Sequence, residues 1–307
     1  MKTMHTLLAA SAVGILALSA CGQSGTPETG GGGAEGGGDT AAEAPQYEVA
    51  SDVDLSDSPT WTAADEAGSI KIGVKFDQPG LGLKEGNTYT GFDVDVANYV
   101  AKEMGKTDVQ FVQAPSKQRE DLIATGQVDL IFATYSITDE RKEKVSFAGP
   151  YFIAGQDLLV ATDAKITGPK DLDGKKLCSV TGSTSADNVK KEVPGVNLQE
   201  FDTYSKCAEA VSKGQLDALT TDDTILAGYA AQDQYKGKLK VVGAPFSEER
   251  YGVGLKKGDT ELCEQVNEAL TKMVDDGEWD KAVEKNFGPA GFEVDSETNP
   301  PKLDACS

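Results

Sequence analysis

"DLIATGQVDLIFAT" (Asp121–Thr134) and "EAVSKGQLDALTTD" (Glu209–Asp222) follow one pattern, 88 residues apart. In each, a helical run stops at a glycine, Gly126 or Gly214. A turn follows, and an apolar strand opens at Asp129 or Asp217. Glycine just past the last helical turn is a common stop, because it adopts the left-handed backbone at little cost. On this register Thr134 matches Asp222, and both fall at strand carboxyl ends. A "GQ-apolar-D" turn is by itself an ordinary helix-to-strand connection. The shared order of elements around both copies is what argues for two similar lobes.

Around the first copy, "SIKIGVKF" (69–76) reads as a strand and "DVDVANYVAKEMG" (93–105) as a helix ending at Gly105. "DVQFVQ" (108–113), "SKQREDLIATG" (116–126) and "VDLIFAT" (128–134) continue as strand, helix, strand. From about residue 175, "KKLCSV", "SADNVKKEV", "VNLQEF", "SKCAEAVSKG", "LDALTT", "DTILAGYAAQ" and "KLKVVG" repeat the alternation. This predicts an α/β fold with mainly parallel sheets. Ligands of open α/β sheets sit beyond the strand carboxyl ends. Two facing lobes would therefore bring positions 134 and 222 together across a cleft. Only three arginines occur among the 29 basic residues, and one of them, Arg141, follows that first strand end closely.

Composition narrows the function. The chain has 50 acidic and 29 basic residues and a net charge of −21. No basic stripe exists to neutralise phosphates, so nucleic acid is excluded as a partner. The single histidine, His5, lies in an N-terminal export segment. The mature chain thus lacks imidazole, which removes His-based metal sites and most triads and dyads. No metal and no cofactor are expected. "GLGLKEG" (80–86) has the wrong spacing for a dinucleotide loop, no "GxxxxGK" occurs, and "DVDVA" (93–97) lacks the Gly and distal Glu of a calcium loop. Asp93 is expected to serve the N-terminal end of its helix.

Residues 1–20 carry Lys2, a short apolar core and "LSAC" (18–21). This is a secretory signal, too short for a spanning helix. "LSAC" also resembles the lipobox of bacterial lipoproteins, which implies cleavage before Cys21 and a stable diacyl anchor; an ordinary signal peptide is the other reading. Residues 21–60, rich in Gly and acidic residues, are expected to form a disordered tether, with the folded body starting near Trp61. With Cys21 lipidated, four of the five cysteines remain, in keeping with an exported, oxidising setting. They allow three pairings or free buried thiols.

"GFDVDVANYVAKEMG", "SITDERKEKVSFAGPYF", "SVTGSTSADN" and "GQLDALTTDDTILAG", in that order, resemble the polar amino-acid solute-binding proteins of ABC importers. The likeness runs from about residue 68 to 290. "GVKFDQPGLG" (73–82) narrows it to the glutamate-binding lipoproteins of high-GC Gram-positive bacteria. The resemblance implies the two-lobe type II periplasmic-binding-protein fold with two hinge crossings, "FIAGQDLLV" and "APFSEERYGVG". Lobe 1 would comprise residues 61–155 and 250–307, and lobe 2 residues 156–249. This division favours Cys178–Cys207 and Cys263–Cys306, one bridge inside each lobe. The implied location is the outer face of the cell membrane, lipid-anchored.

An α-amino acid carries a carboxylate and an ammonium, and burying either needs a charged or strongly hydrogen-bonding partner. The resemblance assigns the α-carboxylate to Arg141, whose planar fork suits bidentate pairing, although "DERKEK" also reads as a solvated charge run. It adds Ser136 to the same carboxylate. Thr181, Ser183 and Thr184 lie on a turn opening a helix, where free N–H groups favour anions; simple N-capping by Ser183 or Ser185 fits the same residues. Asp222 would accept from the ligand ammonium, with Asp223 its rival by one position. Lys75 and Arg119 stand near positions where cations of glutamate-binding relatives meet the side-chain carboxylate, while exposed placements remain open for both. If Arg141 and Asp222 balance a zwitterion, Lys75 and Arg119 are surplus positive charge that an extra carboxylate would satisfy. The expected function is capture of L-glutamate and delivery to an ABC importer, without chemistry. Glutamine or aspartate binding, a dehydratase-like enzyme on the same fold, and a sensor without an importer are the competing readings.

Overall fold

The computed structural model describes residues 47–306. The signal segment, Cys21 and the tether up to residue 46 lie outside the described residues. In chain order the elements of the first lobe are α1 (Pro59–Ala67), β1 (Ile70–Val74), β2 (Asp77–Gln78), β3 (Gly82–Glu85), β4 (Thr88–Thr90), α2 (Phe92–Glu103), β5 (Val109–Gln113), α3 (Arg119–Ala124), β6 (Leu130–Ile131), α4 (Asp139–Lys142) and β7 (Ser146–Ala154). The second lobe holds β8 (Gln156–Ala161), β9 (Lys176–Val180), α5 (Thr184–Glu192), β10 (Asn197–Phe201), α6 (Tyr204–Ser212), β11 (Ala218–Asp222), α7 (Asp223–Ala231) and β12 (Leu239–Val241). The chain then returns through β13 (Glu249–Leu255) to α8 (Thr260–Asp275) and α9 (Glu278–Phe287).

Each lobe is built on a five-stranded sheet, in the orders β5-β1-β6-β13-β7 and β10-β9-β11-β8-β12. Three strands of each are parallel, as the alternating pattern predicts. The other two pairings of each sheet are antiparallel because a single strand, β13 in the first lobe and β8 in the second, runs against the remaining four. The physical reason is the hinge: β8 and β13 each follow a passage between the lobes, so they enter their sheets from the cleft end.

The 88-residue repeat has a structural basis. Asp129 donates its N–H to Lys71 O and accepts Lys71 N–H on its carboxylate, both at 2.8 Å. Asp217 does the same with Lys176, at 2.8 and 2.7 Å. In each lobe this aspartate locks the new strand against the first residues of its neighbour. Gly126 and Gly214 precede it with φ of 67° and 68°, the left-handed stop that side chains disfavour.

The expected tether is too long as drawn: residues 47–60 belong to the folded body. Tyr47 meets Tyr99 edge-on at 5.0 Å, Leu55 is buried, and Ser58 caps α1 while donating to Asp259 at 3.0 Å. The larger apolar residues of this stretch, Tyr47, Val49, Val53 and Leu55, are scattered among acids and serines and leave no helical or strand run to read.

Two packing features fix the hinge. Phe152 on β7 stacks on Tyr251 of β13 and on Trp279, with Phe92 and Phe287 against its edge. Burying each such ring stabilises by about 1.5–3 kcal/mol, so the lobe 1 ends of both crossings are firmly seated. Disulfides join Cys178 of β9 to Cys207 of α6, and Cys263 of α8 to Cys306. Each bridge stays within one lobe and leaves hinge motion free.

Candidate functional site

The carboxyl ends of β1, β6 and β11 face one another where the lobes meet. Thr138 caps α4 by accepting Arg141 N–H at 3.2 Å. This short helix exposes Asp139, Glu140 and Glu143 and turns Arg141 inward, 8% exposed. The solvated-run reading thus fits Arg141's neighbours but not Arg141. Its guanidinium donates to Ser136 O at 2.7 Å and, across the cleft, to Gly182 O at 3.2 Å. Its Nε lies 3.6 Å from the Glu120 carboxylate, a partner that sequence charge counting missed.

Lys75 and Arg119 are both 3% exposed. Lys75 Nζ donates to Ser116 Oγ at 3.0 Å and Arg119 Nη2 to the same oxygen at 2.9 Å. Arg119 also makes a long contact to Thr134 O, at 3.5 Å, and its Nε has no partner. Neither cation is within hydrogen-bond reach of a carboxylate among the described residues. Burial, then the neighbouring Arg119, lowers the Lys75 pKa to about 7. Burial, then Arg141, lowers that of Arg119. Aromatic faces compensate in part: both guanidiniums lie over the Tyr135 ring, 4.8 and 4.9 Å from its centre, and Lys75 lies 5.5 Å from that of Tyr204.

Asp222, at the end of β11, accepts from Tyr251 OH at 2.6 Å and Ser185 Oγ at 3.3 Å. Burial, then repulsion from Glu249, pushes its carboxyl well above the usual range, so a buried cation beside it would be favoured. Asp223 looks elsewhere. It lines a 760 Å³ hollow with Asp157, Ala227 and residues 288–293, while Asp222 does not. That hollow is lined by none of the cleft cations. A smaller one, 400 Å³, is lined by Ser116, Glu120, Arg141, Gly182, Thr184 and Asn188 at the junction of the lobes.

Ser136 and Thr184 approach from opposite lobes to 3.3 Å. Both hydroxyls donate to Glu249 Oε2, at 2.6 and 2.8 Å, and the other oxygen accepts from Asn188 and Ser247. Glu249 therefore stands on the second crossing as a buried junction between the lobes. In the sequence it is one of two adjacent acids in "SEER", and nothing local marks it. Ser183 is the N-cap of α5, accepting Ala186 N–H at 3.1 Å. Thr181 is not brought into the cluster: its N–H and hydroxyl both donate to Phe201 O on β10.

The lobes touch through backbone as well. Asp77 of lobe 1 accepts Tyr204 N–H and Ser205 N–H at the start of α6 in lobe 2. A Cβ placed on Gly228 would lie 2.1 Å from Pro79 O, and one on Gly182 would lie 2.8 Å from Lys117 Cα. The arrangement is a closed cleft with three buried cations, Lys75, Arg119 and Arg141, and a buried carboxylate, Asp222, that has hydroxyl partners and no ion pair. It is equipped to hold a small ion of mixed charge and has no histidine to move protons.

Residues 70–289 match the family described as bacterial extracellular solute-binding proteins, family 3. The glutamate-binding protein GluB of Corynebacterium glutamicum is 47% identical over 259 residues, spanning 80% of this chain and 87% of the relative. The ABC transporter glutamine-binding protein GlnH of Bacillus subtilis is 35% identical over 290 residues, spanning 93% and 97%. A solved structure of an ancestral arginine-binding protein bound to glutamine is 37% identical with a TM-score of 0.67, spanning 72% of this chain and 98% of that one.

Proposed function

The chain belongs to the bacterial extracellular solute-binding proteins of family 3, and from that premise we propose that its ligand is L-glutamate. It is an amino-acid-binding protein of an ABC importer rather than an enzyme. The observation that carries the glutamate reading is the pair of buried cations, Lys75 and Arg119, sharing one serine hydroxyl with no carboxylate on either. A ligand side-chain carboxylate would supply the missing charge, whereas a neutral amide would leave two buried like charges together. The similarity to GluB supports the same choice.

In this reading the α-carboxylate meets Arg141 and the free N–H groups at the start of α5. The hydroxyls of Ser136 and Thr184 hold Glu249 instead. The ammonium meets Asp222, whose raised pKa a neighbouring cation would bring down. Ser183 acts as the helix cap, and Thr181 has no direct part. Closure joins the lobes around the ligand, and the closed form is handed to the importer at the outer membrane face, where a lipid on Cys21 holds the protein.

The test is titration calorimetry on protein unfolded and refolded to strip ligand, with L-glutamate, L-glutamine and L-aspartate. Glutamate should bind most tightly. Glutamine binding as tightly as glutamate would remove the charge argument and leave Lys75 and Arg119 as structural cations.

A further inference from the structure

Thr134, at the cleft end of the first repeat, has φ of 46°. A β-branched residue avoids this left-handed backbone, because Cβ crowds the following carbonyl. Such a conformation persists only where surrounding groups enforce it. Here the enforcing group is Asp93. Its Oδ2 accepts Thr134 N–H at 2.9 Å, and its Oδ1 accepts Tyr151 OH at 2.7 Å. Asp93 is fully buried, and Tyr151 is 2% exposed. The expectation that Asp93 serves the start of its own helix gives way on this point: its carboxylate is spent on Thr134 and Tyr151, and the N-cap of α2 has no side-chain bond.

The turn at Thr134 matters for what it presents. Its carbonyl lies 3.5 Å from Arg119 Nη1, and its hydroxyl lies 3.3 Å from Gln78 Nε2. Apart from the shared Ser116 hydroxyl, that carbonyl is the oxygen nearest to being a partner for the Arg119 guanidinium. A rotation of the Thr134 backbone would swing the carbonyl away and leave the cation free to shift.

We propose that Asp93 is a positioning residue for ligand selectivity: from the first turn of α2 it holds Thr134 in the left-handed backbone and so aims the Thr134 carbonyl at Arg119. This rests on the reading that Arg119 meets the ligand side chain. Asp93 does not itself touch the ligand. Tyr151 completes the device by fixing the other carboxylate oxygen.

A glycine at 134 would adopt the same backbone without help, which makes the test specific. Binding is measured by calorimetry for wild type, Asp93→Ala, Thr134→Gly and the double variant. The probe is L-glutamate, replaced by whichever amino acid the wild type binds most tightly if that is another, so that a wrong ligand assignment does not masquerade as a wrong Asp93 role. Asp93→Ala alone should weaken binding about tenfold, the scale of an unsupported left-handed residue. In the Thr134→Gly background the same substitution should cost less than about threefold. Asp93→Asn, which keeps an oxygen for Thr134 N–H, should stay near wild type. Equal losses in both backgrounds, or Asn as damaging as Ala, would overturn the proposal. If Asp93→Ala does not fold, Tyr151→Phe loosens the same carboxylate. Its loss should again shrink in the glycine background, and a loss that does not shrink overturns the proposal equally.

Discussion

Replacing Lys75 with methionine separates the cost of the cleft's charge from its use. The amine is buried and its pKa falls from 10.5 to about 7. At about 1.4 kcal/mol per tenfold, holding it protonated destabilises the empty fold by about 5 kcal/mol, an upper figure. The sign follows from proton counts. Below pH 7 the amine is charged in both folded and unfolded chains, and the whole cost stands. Between about 7 and 10.5 the folded chain has released its proton and the unfolded chain still holds it, so stability rises with pH. Methionine has a similar stem and no charge. Ligand-free Lys75→Met should therefore melt higher than wild type at pH 6, by up to about 10–20 °C, and the gap should close toward pH 10. Binding should move the other way. Losing one charged partner of a buried carboxylate is worth about 1.5–3 kcal/mol, or roughly ten- to a hundredfold in glutamate affinity. Glutamine, with no charge to offer, should change less than about threefold. Wild-type glutamate affinity should also fall as pH rises through 7, because an amine that has lost its proton must regain it to pair, and the variant should be flat there. Calorimetric melting and titration from pH 6 to 10 read all of this. A variant less stable than wild type at pH 6, or equal losses for both ligands, would refute the reasoning.

Arg141→Ala should abolish amino-acid binding almost without regard to side chain, since breaking one side of a buried pair costs about 3–5 kcal/mol; a loss below about fivefold in calorimetry would show that Arg141 does not hold the ligand. Gly228→Ala should weaken every ligand alike while leaving the glutamate-to-glutamine ratio and the ligand-free melting point unchanged, because the added methyl meets Pro79 O only when the lobes are closed; small-angle scattering should show the saturated protein less compact than wild type. Cys21→Ala should move the protein from the membrane fraction to the medium in a host that processes lipoproteins, and retention at the membrane would contradict the proposed anchor.

What could be read from the chain alone follows the range of the interactions involved. The repeat was legible because Asp129 and Asp217 stand at the start of the strand they open, each bonded to the first residues of the parallel strand beside it, β1 or β9. Arg141 was singled out through the surrounding motif, and its burial has a local cause: a four-residue helix capped by Thr138 turns that one member of a charged run inward. Thr181 was not separable from its neighbours in the sequence because strand and helix start share a turn, and the pairing with β10 takes up its N–H and hydroxyl. Glu249 was missed, and Asp93 was assigned to its own helix, for a different reason. Glu249 takes Ser136 from 113 residues away and Thr184 from 65, and Asp93 takes Thr134 from 41. No periodicity or local spacing connects such partners. The charge count suffered from the same blindness, since it left out Glu120 and Glu249. Those two carboxylates are taken up by Arg141 and by the hydroxyls of the hinge, so neither reaches Lys75 or Arg119. The deficit of negative charge is therefore a property of the Lys75–Arg119 corner rather than of the cleft as a whole, and under the proposed glutamate reading the ligand's second carboxylate would relieve it there.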